Sequence, residues 1–146
     1  MEVKVKTFNE LTTRELHDIL QLRSEVFVVE QDCVYQDIDG KDDQALHVFG
    51  YKNRELITYT RCFPPGAYFK QASIGRVVVR SDERKHGYGH QIMKASMIAI
   101  KEKYGMEEIK LSAQTYLVEF YRSHGFEPTG DEYLEDGIPH IAMIKA

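Results

Sequence analysis

A mixed α/β architecture, one sheet with helices packed on its faces, is what these 146 residues lead one to expect. The apolar pattern runs strand, helix, three strands, helix, strand, helix, two strands. The run Val77-Val78-Val79 is continuously apolar, as a central strand buried on both faces would be. The length suits one domain, residues 1–146, around a single core.

Composition narrows the class. With 42% apolar and 29% charged residues the chain reads as globular and soluble, not disordered. No apolar run approaches the roughly 20 residues of a membrane span, so no membrane association is expected. Met1 to Asn9 lacks a signal-peptide core, which points to the cytoplasm. A formal charge of −4 argues against general nucleic-acid binding. The two cysteines, Cys33 and Cys62, lie far apart and read as small packing residues, not as a disulfide or zinc framework.

Val3 to Phe8 opens the chain as a strand, with Val3, Val5 and Thr7 alternating against Lys4 and Lys6. Thr12 and Glu15 have capping-box spacing, in which each side chain satisfies a free backbone N–H of the other. The helix behind them carries Leu16, Ile19, Leu20, Val26 and Phe27 on one stripe. Arg23 falls inside that stripe. A charge there needs a partner such as Glu30, or a ligand in a cleft, and both readings stand at this point. Gln31 to Gln44 is a polar loop with Asp37, Asp39, Asp42 and Asp43, which either lines a substrate entrance or is solvated. It does not fit a calcium loop: glycine stands fourth from Asp37 instead of sixth, and Val48 takes the place of the bidentate glutamate.

His47 to Tyr51 and Glu55 to Phe63 read as a hairpin around Lys52-Asn53-Arg54, and Pro64-Pro65-Gly66 stops its second strand. Ile74 to Arg80 is the next strand, with Arg76 inside it. Tyr88 to Tyr104 has Met93, Met97, Ile100 and Tyr104 at helical spacing, and Gly105 ends it. Glu108 to Gln114 is a strand. Thr115 to His124 is a short helix with Leu117, Phe120, Tyr121 and His124 on one stripe, closed by Gly125. Phe126 to Tyr133 and Ile138 to Lys145 are strands joined at the turn signal Glu135-Asp136-Gly137.

Between the strand ending near Val79 and the long helix lies Arg84-Lys85-His86-Gly87-Tyr88-Gly89. A strand, a glycine-containing basic loop and a helix N-terminus suit an anion, because free N–H groups and the helix dipole face it. The loop lacks G-K-[ST], so it is no Walker loop. Ile92 stands where a dinucleotide fingerprint needs its third glycine. A metal pair of His86 and His90 is disfavoured by Gly87 and Gly89 between them, and no metal is expected.

This stretch resembles the R/Q-x-x-G-x-G/A signature of the GCN5-related N-acetyltransferases (GNAT). Leu117-x-x-Phe120-Tyr121-x-x-x-Gly125-Phe126 falls where that superfamily has it. Leu22-Arg23-x-x-Val26-Phe27-Val28-Val29-Glu30-Gln31, Tyr35-Gln36-Asp37-Ile38-Asp39-Gly40 and Glu135-Asp136-Gly137-Ile138-Pro139-His140 look like its ElaA-type branch. The resemblance covers essentially the whole chain. It implies a GNAT fold, with a mostly antiparallel splayed sheet and helices on both faces, and acetyl-CoA as co-substrate. It places the pyrophosphate on the loop from Arg84 through Lys85, His86, Gly87 and Tyr88 to Gly89. It places the pantetheine arm along Val77, Val78 and Val79, near Gln114, Leu117 and Phe120. Many members carry Asn near position 114, where this chain has Gln114. Dimers are common in that superfamily, which leaves a homodimer open.

Acetyl transfer to an amine requires a neutral amine, a stabilised carbonyl oxygen and a proton for the departing thiolate. Deprotonating a lysine-like amine at pH 7 costs about 4–5 kcal/mol, so a base helps. His140 is the first candidate, since imidazole titrates near neutrality, and Glu30 the second. Tyr121 is the candidate acid, matching a tyrosine that many members hold near the CoA sulfur. A backbone N–H around Val78 would face the oxyanion. Arg23 and Arg76, with Arg61, would form a carboxylate pocket for an amino-acid-like acceptor. The acidic loop would instead favour a cationic small-molecule amine. A CoA-binding sensor with little turnover, and a phosphate-ester enzyme using the same anion loop, are the competing readings.

Overall fold

The computed structural model describes residues 1–105 and 108–146. Its seven strands are β1 (Glu2–Thr7), β2 (Leu46–Lys52), β3 (Glu55–Phe63), β4 (Ala72–Val79), β5 (Ile109–Gln114), β6 (Glu127–Glu135) and β7 (Ile138–Lys145). They form one sheet in the order β1-β2-β3-β4-β5-β7-β6. All neighbours are antiparallel except β4 and β5. The helices are α1 (Thr13–Arg23), α2 (Tyr88–Tyr104) and α3 (Val118–Arg122).

Local chemistry sets several boundaries. Thr12 Oγ1 accepts from Glu15 N and Glu15 Oε1 accepts from Thr12 N, at 3.0 and 2.9 Å, so the capping box starts α1. Gly105, at φ +69°, ends α2 in the left-handed conformation that glycine adopts without a Cβ penalty. Lys52 pairs with Glu55, and Glu135 with Ile138, so both hairpins close through two-residue loops. Asn53 and Arg54 have φ +52° and +67°, and Asp136 and Gly137 have +51° and +77°, the positive pair that matches strand twist.

Three expectations change. The first helix does not run on regularly to Phe27: after Arg23 the chain widens into a π-helical segment, Ser24–Glu30. Ile19, Leu22 and Val26 are therefore the buried stripe, and Leu16 and Leu20 are only half-buried. The short helix begins as a 3-10 turn, Thr115–Leu117, before α3. Val77 and Val79 are half-buried, so β4 is not covered on both faces.

Side chains alternate across the sheet and supply two cores. Ile19, Leu22 and Val26 pack with Phe49, Leu56, Tyr59 and Val78 on one face. Ile92, Met93 and Ile100 of α2, with Tyr121 and Phe126, pack with Val48, Cys62, Ile74 and Leu111 on the other. Helices thus cover both faces. Among the described residues no helix is long and apolar enough to cross a membrane.

The functional consequence lies between β4 and β5. They pair only at Ala72–Ile109 and Ser73–Lys110, then diverge. A bulge drives the divergence: Arg76 takes φ +49°, and the register with β3 shifts between Tyr59 and Arg61. Past Ser73, the N–H and C=O groups of β4 that alternate away from β3 face a gap instead of a strand.

Candidate active site

Two cavities open into that gap. The first is walled by Val77, Val78 and Val79 of β4, Gly89 of α2, and Leu117 and Phe120 on the far side. The second is walled by Gly75 and Arg76, Ser112 of β5, Glu135, and His140 of β7. Val77, Gln114, Leu117 and Tyr121 line both, so the two join where β4 leaves β5.

Tyr121 stands at the junction. It is 5% exposed, and its ring packs edge-on against Phe120 and Phe126. Burial raises its phenol above the ordinary value of 10, so it remains a proton donor through neutral pH. Gln114 and His140 pair across β5 and β7, and His140 and Tyr133 pair across β7 and β6. These three residues therefore project from one sheet face. His140 Nδ1 donates to the Ile138 carbonyl at 2.7 Å, and its Nε2 lies 3.3 Å from Glu135 Oε2. Tyr133 stacks on the His140 ring and hydrogen-bonds Ser112 Oγ, which closes that wall.

The signature loop ends the first cavity. Gly87 has φ +80° and precedes the first turn of α2, whose leading N–H groups have no intrahelical partner. Lys85, His86, Gly87 and Tyr88 lie outside the cavity wall, at its end, while Arg84 and Gly89 line it. Arg84 Nε donates to the Val79 carbonyl at 3.0 Å and its NH2 to Glu30 Oε1 at 2.9 Å. The apolar wall, the unmatched backbone of β4 and this helix N-terminus together fit a donor with an amide-bearing arm and a diphosphate.

Two expected residues lie elsewhere. Glu30 lines the first cavity, gripped by Arg84, and does not reach the wall that holds His140. The π-helical segment turns it toward Arg84. Arg23 lines neither cavity and is 0% exposed. Its Nε donates to Asp37 Oδ2 at 2.9 Å and its NH1 to Asp42 Oδ1 at 2.8 Å, so its partner is not Glu30 and its fork is closed to a substrate. Arg61 grips Asp39 through NH1 and NH2, both at 2.8 Å, and Arg76 Nε donates to Asp37 Oδ1 at 2.7 Å. The acidic loop and the arginines, which pointed to opposite substrates in the sequence, are partners of each other. Arg76 keeps its place in the second cavity. His86 and His90 do not pair either: His90 Nδ1 meets His124 Nε2 at 2.9 Å.

Glu135 is the residue the sequence did not single out. The two-residue turn at Asp136-Gly137 was its available signal. That turn pairs Glu135 with Ile138, on the same sheet face as His140.

The sequence profile of the acetyltransferase (GNAT) domain matches residues 9–146. The chain belongs to the GNAT superfamily. Protein ElaA of Escherichia coli K12 is 41% identical over 139 residues, 94% of this chain and 91% of that protein, which places it in the ElaA-type branch. The crystal structure of E. coli ElaA superposes with TM-score 0.93 at 39% identity, over 99% of both chains. An acyl-CoA N-acyltransferase from Pseudomonas aeruginosa superposes with TM-score 0.94 at 40% identity, over all of both chains. As a GNAT member the chain is an acyltransferase, of a superfamily whose donors are acyl-CoA thioesters.

Proposed function

We propose that the chain, acting as one domain, moves an acetyl group from acetyl-CoA to the amine of a small molecule or amino-acid-like acceptor, directly, in a ternary complex. The observation that carries this is the junction of the two cavities at Val77, Gln114, Leu117 and Tyr121. Donor and acceptor can enter from opposite sides and meet without a covalent enzyme intermediate.

Acetyl-CoA supplies an activated acyl thioester. Val77, Val78 and Val79 hold its arm, and Arg84 with the first turn of α2 holds its diphosphate. A β4 N–H around Val78 faces the carbonyl oxygen as charge gathers there, a donor worth about 3 kcal/mol. His140 Nε2 takes the proton that the acceptor nitrogen loses as its new N–C bond forms. Glu135 must first yield Nε2, and its side chain, 46% exposed, has room to do so. As the C–S bond breaks, Tyr121 gives its proton to the thiolate.

Isothermal titration with acetyl-CoA, followed by a thiol-release screen over amines, tests the reading. Micromolar binding and amine-dependent thiol release are expected. Failure to bind at high micromolar acetyl-CoA overturns it. Binding without release for any amine would make the chain a CoA-binding module.

A further inference from the structure

The second cavity continues past Gly75, Arg76 and Ser112 into a side chamber walled by Arg61, Phe63, Tyr68 and Phe69. Glu135 lines both spaces. An acceptor in either space therefore borders its carboxylate. The charges around it decide what binds.

Arg23, Arg61 and Arg76 are matched one for one by Asp37, Asp39 and Asp42. Every one of these ion pairs involves a side chain no more than 21% exposed, so Arg61 and Arg76, which line these spaces, are already neutralised by aspartates behind them. Lys41 and Lys110 lie over the rings of Tyr68 and Phe69, at 4.8 and 4.9 Å, and line neither space. The carboxylates left facing the cavity are Glu135 and Asp136. Of these, Glu135 touches His140, at 3.3 Å from Nε2.

We infer that Glu135 receives the acceptor as an ammonium ion and that the site selects amines with no carboxylate beside the nitrogen. This rests on the acetyltransferase reading of the cleft. When the ammonium takes Glu135 as its counter-ion, His140 Nε2 is released beside it. The ammonium gives one proton to water to become the nucleophilic amine, and Nε2 takes the second as the N–C bond forms. An α-carboxylate arriving with the amine meets Glu135 with like charge. It also finds Arg76 already held by Asp37. Displacing that aspartate would strip Arg23 of a buried partner as well. Glu135 thus sets specificity, and its exchange of His140 for the ammonium frees the base, whose ring stays held by the Ile138 carbonyl.

The test uses three matched acceptors: phenylalanine, phenylalanine amide and 2-phenylethylamine. Steady-state kcat/KM is measured with acetyl-CoA for the intact protein and for Glu135→Gln. The amide and the decarboxylated amine should exceed the free acid at least tenfold. Glu135→Gln should raise KM for both amines and shrink that ratio toward one, while the acetyl-CoA Kd stays put. A free acid acetylated as well as its amide, or a ratio unchanged in Glu135→Gln, overturns the inference. Acetyl-CoA binding with none of the three acetylated also overturns it, and leaves the donor site standing. Failure to bind acetyl-CoA instead removes the function on which it rests.

Discussion

Arg76 Nε donates to Asp37 Oδ1 at 2.7 Å across 39 residues of sequence. One end of this bond is the left-handed bulge residue that parts β4 from β5. The other is in the loop after the π-helical segment. Asp37 gives its second oxygen to Arg23, at 2.9 Å. A single carboxylate thereby ties α1, the loop and the edge of the cleft together.

Asp37→Ala should therefore cost about 3 kcal/mol, the low end for breaking a buried ion pair, because Arg23 keeps Asp42. Asp43→Ala, in the same loop but exposed, should stay within about 0.5 kcal/mol. Urea denaturation of both variants reads the contrast. Equal losses would mean that loop charge, not the buried pairing, sets stability.

Tyr121→Phe should lower kcat by about 10²-fold or more, as loss of a general acid does. Acetyl-CoA affinity should hardly change. Stability should move by no more than about 1 kcal/mol, because the ring contacts with Phe120 and Phe126 remain and only the hydroxyl is lost. Kinetics, titration calorimetry and a thermal melt separate these three quantities. An unchanged kcat at every pH would remove the acid role.

Gly87 offers a test of the anion loop that leaves the fold out. A Cβ there meets nothing within 4 Å, and the position needs φ +80°. Asn and Asp tolerate left-handed backbone similarly and differ in charge. Gly87→Asp should bind acetyl-CoA about fivefold more weakly than Gly87→Asn, roughly 1 kcal/mol of repulsion, at equal melting temperature. The gap should narrow as salt is added. Identical affinities would displace the diphosphate from this loop.

Features held by local chemistry were legible from residues alone. Thr12 and Glu15 start α1, Gly105 stops α2, and both hairpin turns fall where their residues place them. What escaped depends on contacts between distant residues. A π-helical segment has no apolar period of its own, so the sequence carries α1 on to Phe27 and does not show that Glu30 turns toward Arg84. Arg76 carried no mark of a bulge, since arginine rarely takes positive φ. The aspartates of the loop could be joined to Arg23, Arg61 and Arg76 only once the sheet had set them side by side. Glu135 was read as turn punctuation, although strand pairing puts it beside the base.

Glu15 gives a pH dependence of defined sign. Burial alone would raise its carboxyl, but hydrogen bonds from Lys6, the Thr12 N–H and Lys4 prevail and hold it at about 2, against an ordinary 4.5. Lys6 Nζ donates to its two oxygens at 2.8 and 3.0 Å. A carboxyl depressed in the fold contributes stability that is complete above its unfolded value and is lost as pH falls through its folded value. The shift is worth at most about 3 kcal/mol, and the part-exposed lysines reduce that to about 1–2 kcal/mol. Glu15→Gln isolates the charge, because glutamine preserves the capping box. The variant should be about 1–2 kcal/mol less stable than the natural chain in urea titrations at pH 7 and pH 5.5. The difference should shrink as pH drops from 4.5 toward 2. A difference that stays constant over that window would assign the loss to packing instead of charge.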